Sequence, residues 1–269
     1  MPKALSMLFK WTRGVPWRSL LALLSVLVAS TNSVAANGPP ETVALGPVSL
    51  EVFTYRPAGC RPAALLVVIH GSLRDPDNYR EYVRPAADRW CLLVVAPRFD
   101  EARFPTARFR FCSLPDQTGP LLVRLVSWAR EREGVPDLPY IVLGHSSGGG
   151  AASCFAGFTP NLAKSIVIAN PAGLLSPSRE VPVPFGFKGT SDAEALHRYL
   201  AAPITLLVTD GDTVTERHGT EIYTAARAAA DTNHWRLGWT IEEAHGVGHW
   251  AGEVLVTPEA IAVLGRAAQ

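Results

Sequence analysis

Short apolar runs separated by longer polar stretches follow one another along most of the chain. Two of these runs are continuous, Ala64–Ile69 and Leu92–Ala96. Continuous Val- and Leu-rich runs of this length are typical of strands that are buried on both faces of a parallel sheet. Val48–Tyr55 alternates apolar and polar positions, which predicts a half-buried edge strand. Further strands are predicted at Tyr140–Leu143, Ser165–Ala169, Thr205–Thr209 and Trp235–Ile241.

The stretches between these runs have helical composition. Helices are predicted over Asp75–Trp90, Pro120–Glu133, a segment that begins at Ser147, Glu216–Ala230 and about Trp250–Ala267. Strands that alternate with helices predict an α/β protein whose mostly parallel central sheet has helices on both faces. Right-handed crossovers place the carboxyl ends of the strands at one edge, where open α/β sheets hold their active sites. Pro171–Gly189 is rich in Pro and Gly and is predicted to be a short cap excursion over that edge.

The first 36 residues differ from the rest of the chain. They run from four basic residues without an acid, through an apolar segment, to small residues: Lys3, Lys10, Arg13 and Arg18, then Leu20–Ala29, then Ser33–Ala36. This order is typical of a secretory signal peptide, and the apolar segment is short for a membrane span. Residues 1–36 are therefore predicted to be a signal peptide and residues 37–269 a single domain. An uncleaved N-terminal anchor is the alternative.

Removal of this segment changes the charge balance. The full chain has 25 Lys and Arg against 24 Asp and Glu, and cleavage would leave 21 basic residues. No basic stripe remains, so a nucleic acid partner is not expected. Contact with a membrane is expected only transiently, through the signal segment, and the predicted location is secreted or periplasmic.

A nucleophile motif follows the predicted strand Tyr140–Leu143. Gly144-His145-Ser146-Ser147-Gly148 has the form G-x-S-x-G, with a strand before it and a small-residue helix after it. In this turn the serine has a strained backbone, and side chains at the glycine positions would clash with their neighbours. The motif predicts Ser146 as a catalytic nucleophile. A glycine-rich turn with an incidental serine is the alternative.

A serine nucleophile needs a base and an acid that orients the base. Where the serine lies on a strand-turn-helix elbow, the acid and then the histidine follow it along the chain. Asp212 and His249 come in this order, each on a loop after a later predicted strand. Asp210 is a rival acid and His245 a rival base. The other histidines are expected at ordinary surface or helix positions, His197, His218 and His234 among them.

The tetrahedral intermediate of acyl transfer needs two hydrogen-bond donors for its oxyanion. One is expected to be the backbone N–H of Ser147, the residue after the nucleophile. The second is expected to be the N–H of Ser72, because Ile69-His70-Gly71-Ser72 follows the first buried strand and glycine there lets the backbone approach the substrate.

Taken together, these motifs resemble the α/β-hydrolase superfamily. Within it, several stretches are similar to bacterial esterases of the polyhydroxybutyrate depolymerase type: Ile69–Arg74 with Tyr79, Ala96–Asp100 with Arg103–Pro105, and Ala169–Gly173 leading to Pro184–Gly186. The resemblance covers nearly all of residues 37–269. It implies an α/β-hydrolase catalytic domain that hydrolyses carboxylic esters through an acyl-enzyme, with no cofactor and no metal.

The expected substrates are small-molecule or oligomeric esters. A serine peptidase or a thioesterase is the alternative among enzymes, because the same triad serves all acyl transfers. A non-catalytic binding protein on the same fold is the other alternative. It is disfavoured because nucleophile, acid, base and oxyanion loop are all present in the sequence.

Four cysteines allow three disulfide pairings in an exported protein. Cys60 precedes one predicted strand and Cys91 opens the next, so both lie toward the amino-terminal edge of the sheet. Cys112 and Cys154 lie toward the opposite edge. Disulfide partners need Cα atoms within about 7 Å, whereas a strand spans roughly 17–20 Å. The predicted pairs are therefore Cys60–Cys91 and Cys112–Cys154, and a reduced, buried Cys154 is the alternative.

We expect the exported protein to lack roughly its first 35 residues, because cleavage of a signal peptide follows its small-residue segment. N-terminal sequencing or the intact mass of protein recovered from the periplasm or the medium checks this. Recovery of the full-length chain in the membrane fraction would support the anchor instead.

Overall fold

A computed structural model describes residues 36–110, 115–159 and 162–269. The predicted signal peptide and Cys112 lie outside these residues. The strands of the described part are β1 Ala36–Asn37, β2 Glu41–Ala44, β3 Ser49–Arg56, β4 Ala64–Ile69, β5 Leu92–Arg98, β6 Tyr140–His145, β7 Ser165–Ala169, β8 Ile204–Thr209 and β9 Thr240–Ala244. The helices are α1 Pro76–Tyr82, α2 Arg84–Trp90, α3 Thr106–Arg110, α4 Pro115–Glu133, α5 Ser147–Phe158, α6 Ala195–Ala201, α7 Thr213–Asn233, α8 Ala251–Val254 and α9 Pro258–Ala268.

The described strands form one mostly parallel sheet in the order β1-β3-β5-β4-β6-β7-β8-β9, with β2 also paired to β3. From β5 to β9 every neighbouring pair is parallel, and β3 joins β5 antiparallel. This is the predicted α/β architecture. All of the parallel strands therefore end at the same edge of the sheet, and the loops that follow them meet there.

Side chains of successive strand residues enter two different cores. In β4, Leu65, Val67 and Ile69 pack in one core and Leu66 and Val68 in the other. Helices α4, α5, α6 and α7 cover the first core, whereas α1, α2, α8 and α9 cover the second. Because both faces are covered, an apolar residue is stabilised at every position of the central strands, which explains the continuous apolar runs in the sequence.

The predicted edge strand lies one position inside the sheet. β3 corresponds to Val48–Tyr55, but β1 and β2 pair antiparallel with it on its outer side. Three of its inner residues, Val52, Phe53 and Tyr55, are buried. The prediction of an edge position was wrong because Glu41–Ala44 is too short and too mixed in polarity to be recognised as a strand that covers β3.

Several predicted boundaries also shift. The helix predicted over residues 75–90 is two helices, α1 and α2, that meet at Val83. The last predicted helix is divided at Thr257, whose side chain caps α9 while Pro258 occupies the first turn. The strand predicted at Trp235–Ile241 begins only at Thr240. Before it, Trp239 is buried and its indole N–H donates to the Tyr199 carbonyl, so this segment packs as an irregular connection.

The cap excursion is present in the structure. The chain between β7 and α6 has no helix, and one isolated bridge pairs Pro182 with Lys188. It leaves the sheet directly after β7 and begins with Asn170.

No helix in the described part of the chain is long and apolar enough to cross a bilayer.

Cys60 and Cys91 form a disulfide with a Cα–Cα distance of 6.1 Å, which confirms the first predicted pair. Both residues lie just before parallel strands, Cys60 before β4 and Cys91 before β5. Cys154 is buried and is itself disulfide-bonded, which excludes the alternative of a reduced Cys154. The predicted pair Cys112–Cys154 includes Cys112, which lies outside the described residues.

Replacing both cysteines of the first bridge, Cys60→Ser with Cys91→Ser, should lower the free energy of unfolding by about 2–4 kcal/mol. The bridge closes a loop across 31 sequence positions and so restricts the unfolded chain. Urea unfolding of the variant and of the wild type measures the difference. Activity of the folded variant should be unchanged, because the bridge lies at the sheet edge opposite Ser146. An unchanged unfolding midpoint would contradict the prediction.

Candidate active site

Ser146 occupies the tight turn between β6 and α5. Its φ is positive, at 56°, with ψ −119°, a backbone conformation that residues other than glycine rarely adopt. The turn is also crowded. A Cβ at Gly148 would lie 2.2 Å from the Ile69 carbonyl oxygen, and one at Gly144 would lie 2.2 Å from the Gly148 carbonyl oxygen. The two glycines of the motif therefore let α5 approach β4 and let the turn close on itself.

The structure brings the predicted acid and base to this serine. Asp212 follows β8 and His249 follows β9, on loops at the edge where Ser146 emerges. The Nε2 atom of His249 is 2.9 Å from the Ser146 Oγ, and its Nδ1 atom is 2.5 Å from Asp212 Oδ2. This is the geometry of a serine nucleophile, a general base and an acid that orients the base.

The rival residues pair with each other instead. His245 Nδ1 is 3.2 Å from Asp210 Oδ2, and the Gly246 N–H donates to Asp210 Oδ1 at 2.8 Å. Together with Glu243 they have ligand-type atoms within 4.8 Å of one another, but all three side chains are exposed. No contact between this pair and Ser146 is present among the described residues.

Asp212 is held in place by the helix that it caps. Its side chain accepts hydrogen bonds from the Thr215 N–H at 3.3 Å and from the Thr215 hydroxyl at 2.6 Å. Partial burial opposes ionisation, but the hydrogen bonds from Thr215 and His249 outweigh it and hold the pKa of Asp212 below its ordinary value. The acid is thus a carboxylate at neutral pH and can stabilise a charged imidazole.

The loop that carries His249 is anchored by two side chains that sequence reasoning missed. The Gly248 carbonyl accepts hydrogen bonds from the Asn170 side-chain amide at 3.2 Å and from the Thr209 hydroxyl at 3.1 Å. Asn170 also donates to the Thr209 hydroxyl at 2.8 Å. Both residues lie at the carboxyl ends of neighbouring strands. Polar residues at these positions in the sequence are the pattern from which their role could have been predicted.

The two predicted oxyanion donors, the N–H groups of Ser147 and Ser72, both belong to residues that adjoin Ser146. Ser147 is the first residue of α5, so its N–H belongs to the first turn, which has no acceptor within the helix. Ser72 lines a cleft together with Ser146. The preceding Gly71 approaches the nucleophile so closely that a Cβ there would lie 3.4 Å from the Ser146 Cβ.

The side chain of Arg74 fixes the far side of the loop that carries Ser72. Arg74 is left-handed, with φ 61°, and its N–H donates to the Gly71 carbonyl at 3.3 Å. Its side chain donates to the carbonyls of Phe99 and Phe104 at 2.6 and 2.7 Å, and it lies 5.0 Å from the ring centre of Phe109. These contacts join the loop 71–74 to the segment that follows β5, and no sequence motif indicated them.

Two buried histidines flank the same loops without belonging to the triad. His70 accepts from the Phe99 N–H at 2.9 Å through its Nε2 atom, and its Nδ1 atom donates to the Gly71 carbonyl at 2.8 Å. His145 lies beside the nucleophile. Burial lowers the pKa of His70 to about 4 and the pKa of His145 to about 3. Both rings are therefore neutral at physiological pH.

One cleft contains Ser146, and a second is lined by residues that follow Asp212 in sequence. The first has a volume of about 140 Å³, contains Ser146 and is lined by Ser72, Tyr82 and Trp250 among others. The second has a volume of about 440 Å³ and lies on the side of Asp212, between the cap excursion and the start of α7. Four large apolar side chains on their rims are at least half exposed: Leu73, Phe185, Val214 and Trp250.

Comparison with known proteins gives structural matches. No protein-family model matches the sequence, and no curated protein matches it. The structure of LpqC, a poly(3-hydroxybutyrate) depolymerase from Bordetella parapertussis, is similar with a TM-score of 0.73 and 26% sequence identity, over 87% of this chain and 95% of that one. Poly(aspartic acid) hydrolase-1 from Sphingomonas sp. KT-1 is similar with a TM-score of 0.70 and 22% identity, over 82% of this chain and 95% of that one.

A dienelactone hydrolase from Anabaena variabilis is more distant, with a TM-score of 0.56 and 19% identity, over 87% of this chain and 95% of that one. These similarities show that the chain has the α/β-hydrolase fold. The similarity to LpqC also confirms the resemblance to polyhydroxybutyrate depolymerase-like esterases that the sequence motifs indicated.

The neutral histidines predict a loss of stability in mild acid. In the unfolded chain imidazoles titrate near pH 6.5, so below that pH the unfolded state binds more protons than the folded state does. His70 and His145 should each lower the free energy of unfolding by up to about 1.4 kcal/mol per pH unit between about pH 6.5 and pH 4. Urea unfolding at pH 7.5, 5.5 and 4.5 measures this slope. Equal stability at pH 7.5 and 4.5 would contradict it, and His145→Gln should reduce the slope by about half.

Proposed function

We propose that this chain is a serine hydrolase that cleaves carboxylic esters through an acyl-enzyme on Ser146. The observation that carries the proposal is the continuous chain of contacts from the Ser146 Oγ through His249 to Asp212, at 2.9 and 2.5 Å. Its position at the carboxyl edge of an α/β-hydrolase sheet supports the same reading, because active sites of open α/β sheets lie there.

The geometry supports a two-step reaction. The Ser146 Oγ attacks the ester carbonyl carbon while His249 Nε2 takes the hydroxyl proton, and Asp212 stabilises the imidazolium. The bond to the alcohol oxygen then breaks as His249 returns that proton to the leaving alkoxide. Water attacks the acyl-enzyme in the second step, with His249 again as base, and this releases the acid and restores the serine.

The oxyanion is best served by the backbone N–H groups of Ser72 and Ser147. Donors of this kind stabilise the tetrahedral intermediate because they are already oriented before charge develops on the oxygen. The contacts of Arg74 and His70 support this role, since they hold the loop of Ser72 against the segment after β5.

The surroundings of the triad favour apolar or oligomeric ester substrates. The cleft that contains Ser146 gives room for one part of an ester, and the larger cleft between the cap excursion and α7 offers further room for a longer substrate. The exposed apolar side chains of Leu73, Phe185, Val214 and Trp250 offer contacts to aliphatic chains on either side. The similarity to LpqC, described as a poly(3-hydroxybutyrate) depolymerase, supports short aliphatic hydroxy-ester units as test substrates.

Export is part of the proposal. The disulfide between Cys60 and Cys91 supports a location in an oxidising compartment, because structural disulfides persist there and are rare in the cytosol. The order of residues in the N-terminal segment points the same way.

Replacing the nucleophile, Ser146→Ala, should reduce hydrolysis of p-nitrophenyl esters by a factor on the order of 10⁴ or more, because only binding and oxyanion stabilisation remain. The wild type should react with a fluorophosphonate probe at Ser146 and the variant should not. A panel of p-nitrophenyl esters of increasing chain length, together with hydroxybutyrate oligomers, measures substrate preference. Residual activity above about a tenth of the wild type would disprove the role of Ser146.

Matched variants separate the proposed triad from its rivals. His249→Ala should be as damaging as Ser146→Ala, and Asp212→Asn should also be strongly damaging. His245→Ala and Asp210→Asn change the same residue types on the same two loops and should be much milder. Circular dichroism and unfolding curves establish that each variant is folded. Reversal of either ranking would transfer the role to the rival residue.

A further inference from the structure

The imidazole of His145 is buried beside the nucleophile and has two hydrogen-bond partners. Its Nδ1 atom is 2.8 Å from the Tyr79 hydroxyl oxygen, and its Nε2 atom is 2.9 Å from the His249 carbonyl oxygen. A carbonyl oxygen can only accept, so Nε2 carries the proton and Nδ1 is the acceptor. The Tyr79 hydroxyl must then donate to Nδ1. The network thus assigns both the tautomer of His145 and the direction of each hydrogen bond.

The other side of the Tyr79 hydroxyl meets the oxyanion loop. Gly71 packs directly against this hydroxyl, since a Cβ at Gly71 would lie only 2.8 Å from the phenolic oxygen. Three segments are therefore connected through two side chains: the loop after β4, helix α1 and the loop after β9. The connected residues are far apart in sequence, since Tyr79 and His145 are separated by 66 positions and His145 and His249 by 104.

His249 needs this support because packing alone does not hold it. Its side chain is 44% exposed, whereas that of its partner Asp212 is 13% exposed. Asp212 orients the ring through Nδ1, but the ring can meet the serine only if its backbone is also fixed. The His145 bond to the His249 carbonyl is a direct contact to that backbone. A displacement of about 1 Å of a catalytic group can cost about 100-fold in rate.

Tyr79 and His145 are both uncharged. Burial lowers the pKa of His145 to about 3, and burial raises the pKa of Tyr79 well above its usual range. Neither group gains or loses a proton between pH 5 and pH 9, so the hydrogen-bond direction stays the same while His249 takes up and returns protons during turnover.

We propose that Tyr79 and His145 are positioning residues for the reaction at Ser146. Their hydrogen bonds to each other and to the His249 carbonyl, with the packing of Tyr79 against Gly71, hold the His249 backbone at a fixed place relative to the loop of Gly71. The proposal rests on the ester hydrolase function proposed above. It assigns these two side chains a role in the rate of the chemical step and none in substrate affinity.

Tyr79→Phe removes the hydroxyl and leaves the ring. We expect kcat to fall about 10-fold or more, because the base is then less well positioned, while KM changes less than about twofold. Affinity for an alkyl boronic acid, which mimics the tetrahedral intermediate, should fall in proportion to kcat. Active-site titration with a fluorophosphonate counts the competent sites, so that a loss of folded protein is not read as a loss of rate.

Tyr140→Phe is the matched control. Tyr140 is buried, its hydroxyl accepts a hydrogen bond from the Leu162 N–H at 3.1 Å, and it opens strand β6 at the end opposite Ser146. It should lose some stability and keep the wild-type kcat per active site. A wild-type kcat per titrated site in Tyr79→Phe would overturn the proposal, as would an equal fall of kcat in Tyr140→Phe.

¹⁵N NMR of the imidazoles in the wild-type protein tests the hydrogen bonds from Tyr79 through His145 to the His249 carbonyl, even if Tyr79→Phe does not fold. The His145 signals, assigned by their loss in His145→Gln, should show a neutral ring protonated at Nε2 from pH 5 to pH 8. A ring protonated at Nδ1, or one that titrates in this range, would overturn the proposal. This measurement does not depend on turnover. Failure of the proposed function would instead appear as activity retained by Ser146→Ala.

Discussion

The close approach of helix α5 to strand β4 at Ser146 is the constraint on which the site depends. The serine can adopt φ 56° only because the residues around it are small enough for the turn to close. At Gly148 a side chain would collide with the Ile69 carbonyl, and β4 would have to move away. Since β4 also leads into the loop of Gly71 and Ser72, the same close contact sets the distance between Ser146 and the N–H groups proposed as oxyanion donors.

Parallel strands supply the remaining parts. Six neighbouring parallel strands end at one edge, so residues that are distant in sequence arrive at one place without a long loop. Asp212 and His249 follow adjacent strands, β8 and β9. Asn170 and Thr209 close the ends of β7 and β8 and hold the carbonyl of Gly248. The position of His249, the proposed base, therefore depends on main-chain anchoring at the sheet edge as much as on its contact with Asp212.

Electrostatic surroundings divide the histidines into two groups. His70 and His145 are buried and hydrogen-bonded to uncharged groups, and burial keeps their pKa values low, so they act as fixed hydrogen-bonding groups. His249 is partly exposed and faces a carboxylate, which suits a group that must accept and return a proton. The same side chain thus performs a structural task where it is desolvated and the proposed chemical task where it meets solvent and Asp212.

Local patterns in the sequence were enough to predict the parallel sheet, the turn at Ser146 and the pairing of Cys60 with Cys91. These follow from local pattern: apolar runs, glycine spacing and the order of strands along the chain. The sequence left Asp210 and His245 as rivals of Asp212 and His249, because residues a few positions apart on one loop satisfy the same chain order.

Only the tertiary structure separated these pairs, since the direction in which a loop side chain points depends on how the loop packs. It also decided the contacts of Arg74, Tyr79 and His145. Side-chain hydrogen bonds of these residues to Phe99, His145 and the His249 carbonyl join positions 25 to 104 apart in sequence, so no local pattern records them. The edge position predicted for β3 failed for a related reason: the strands that cover it are too short to be recognised before they pair.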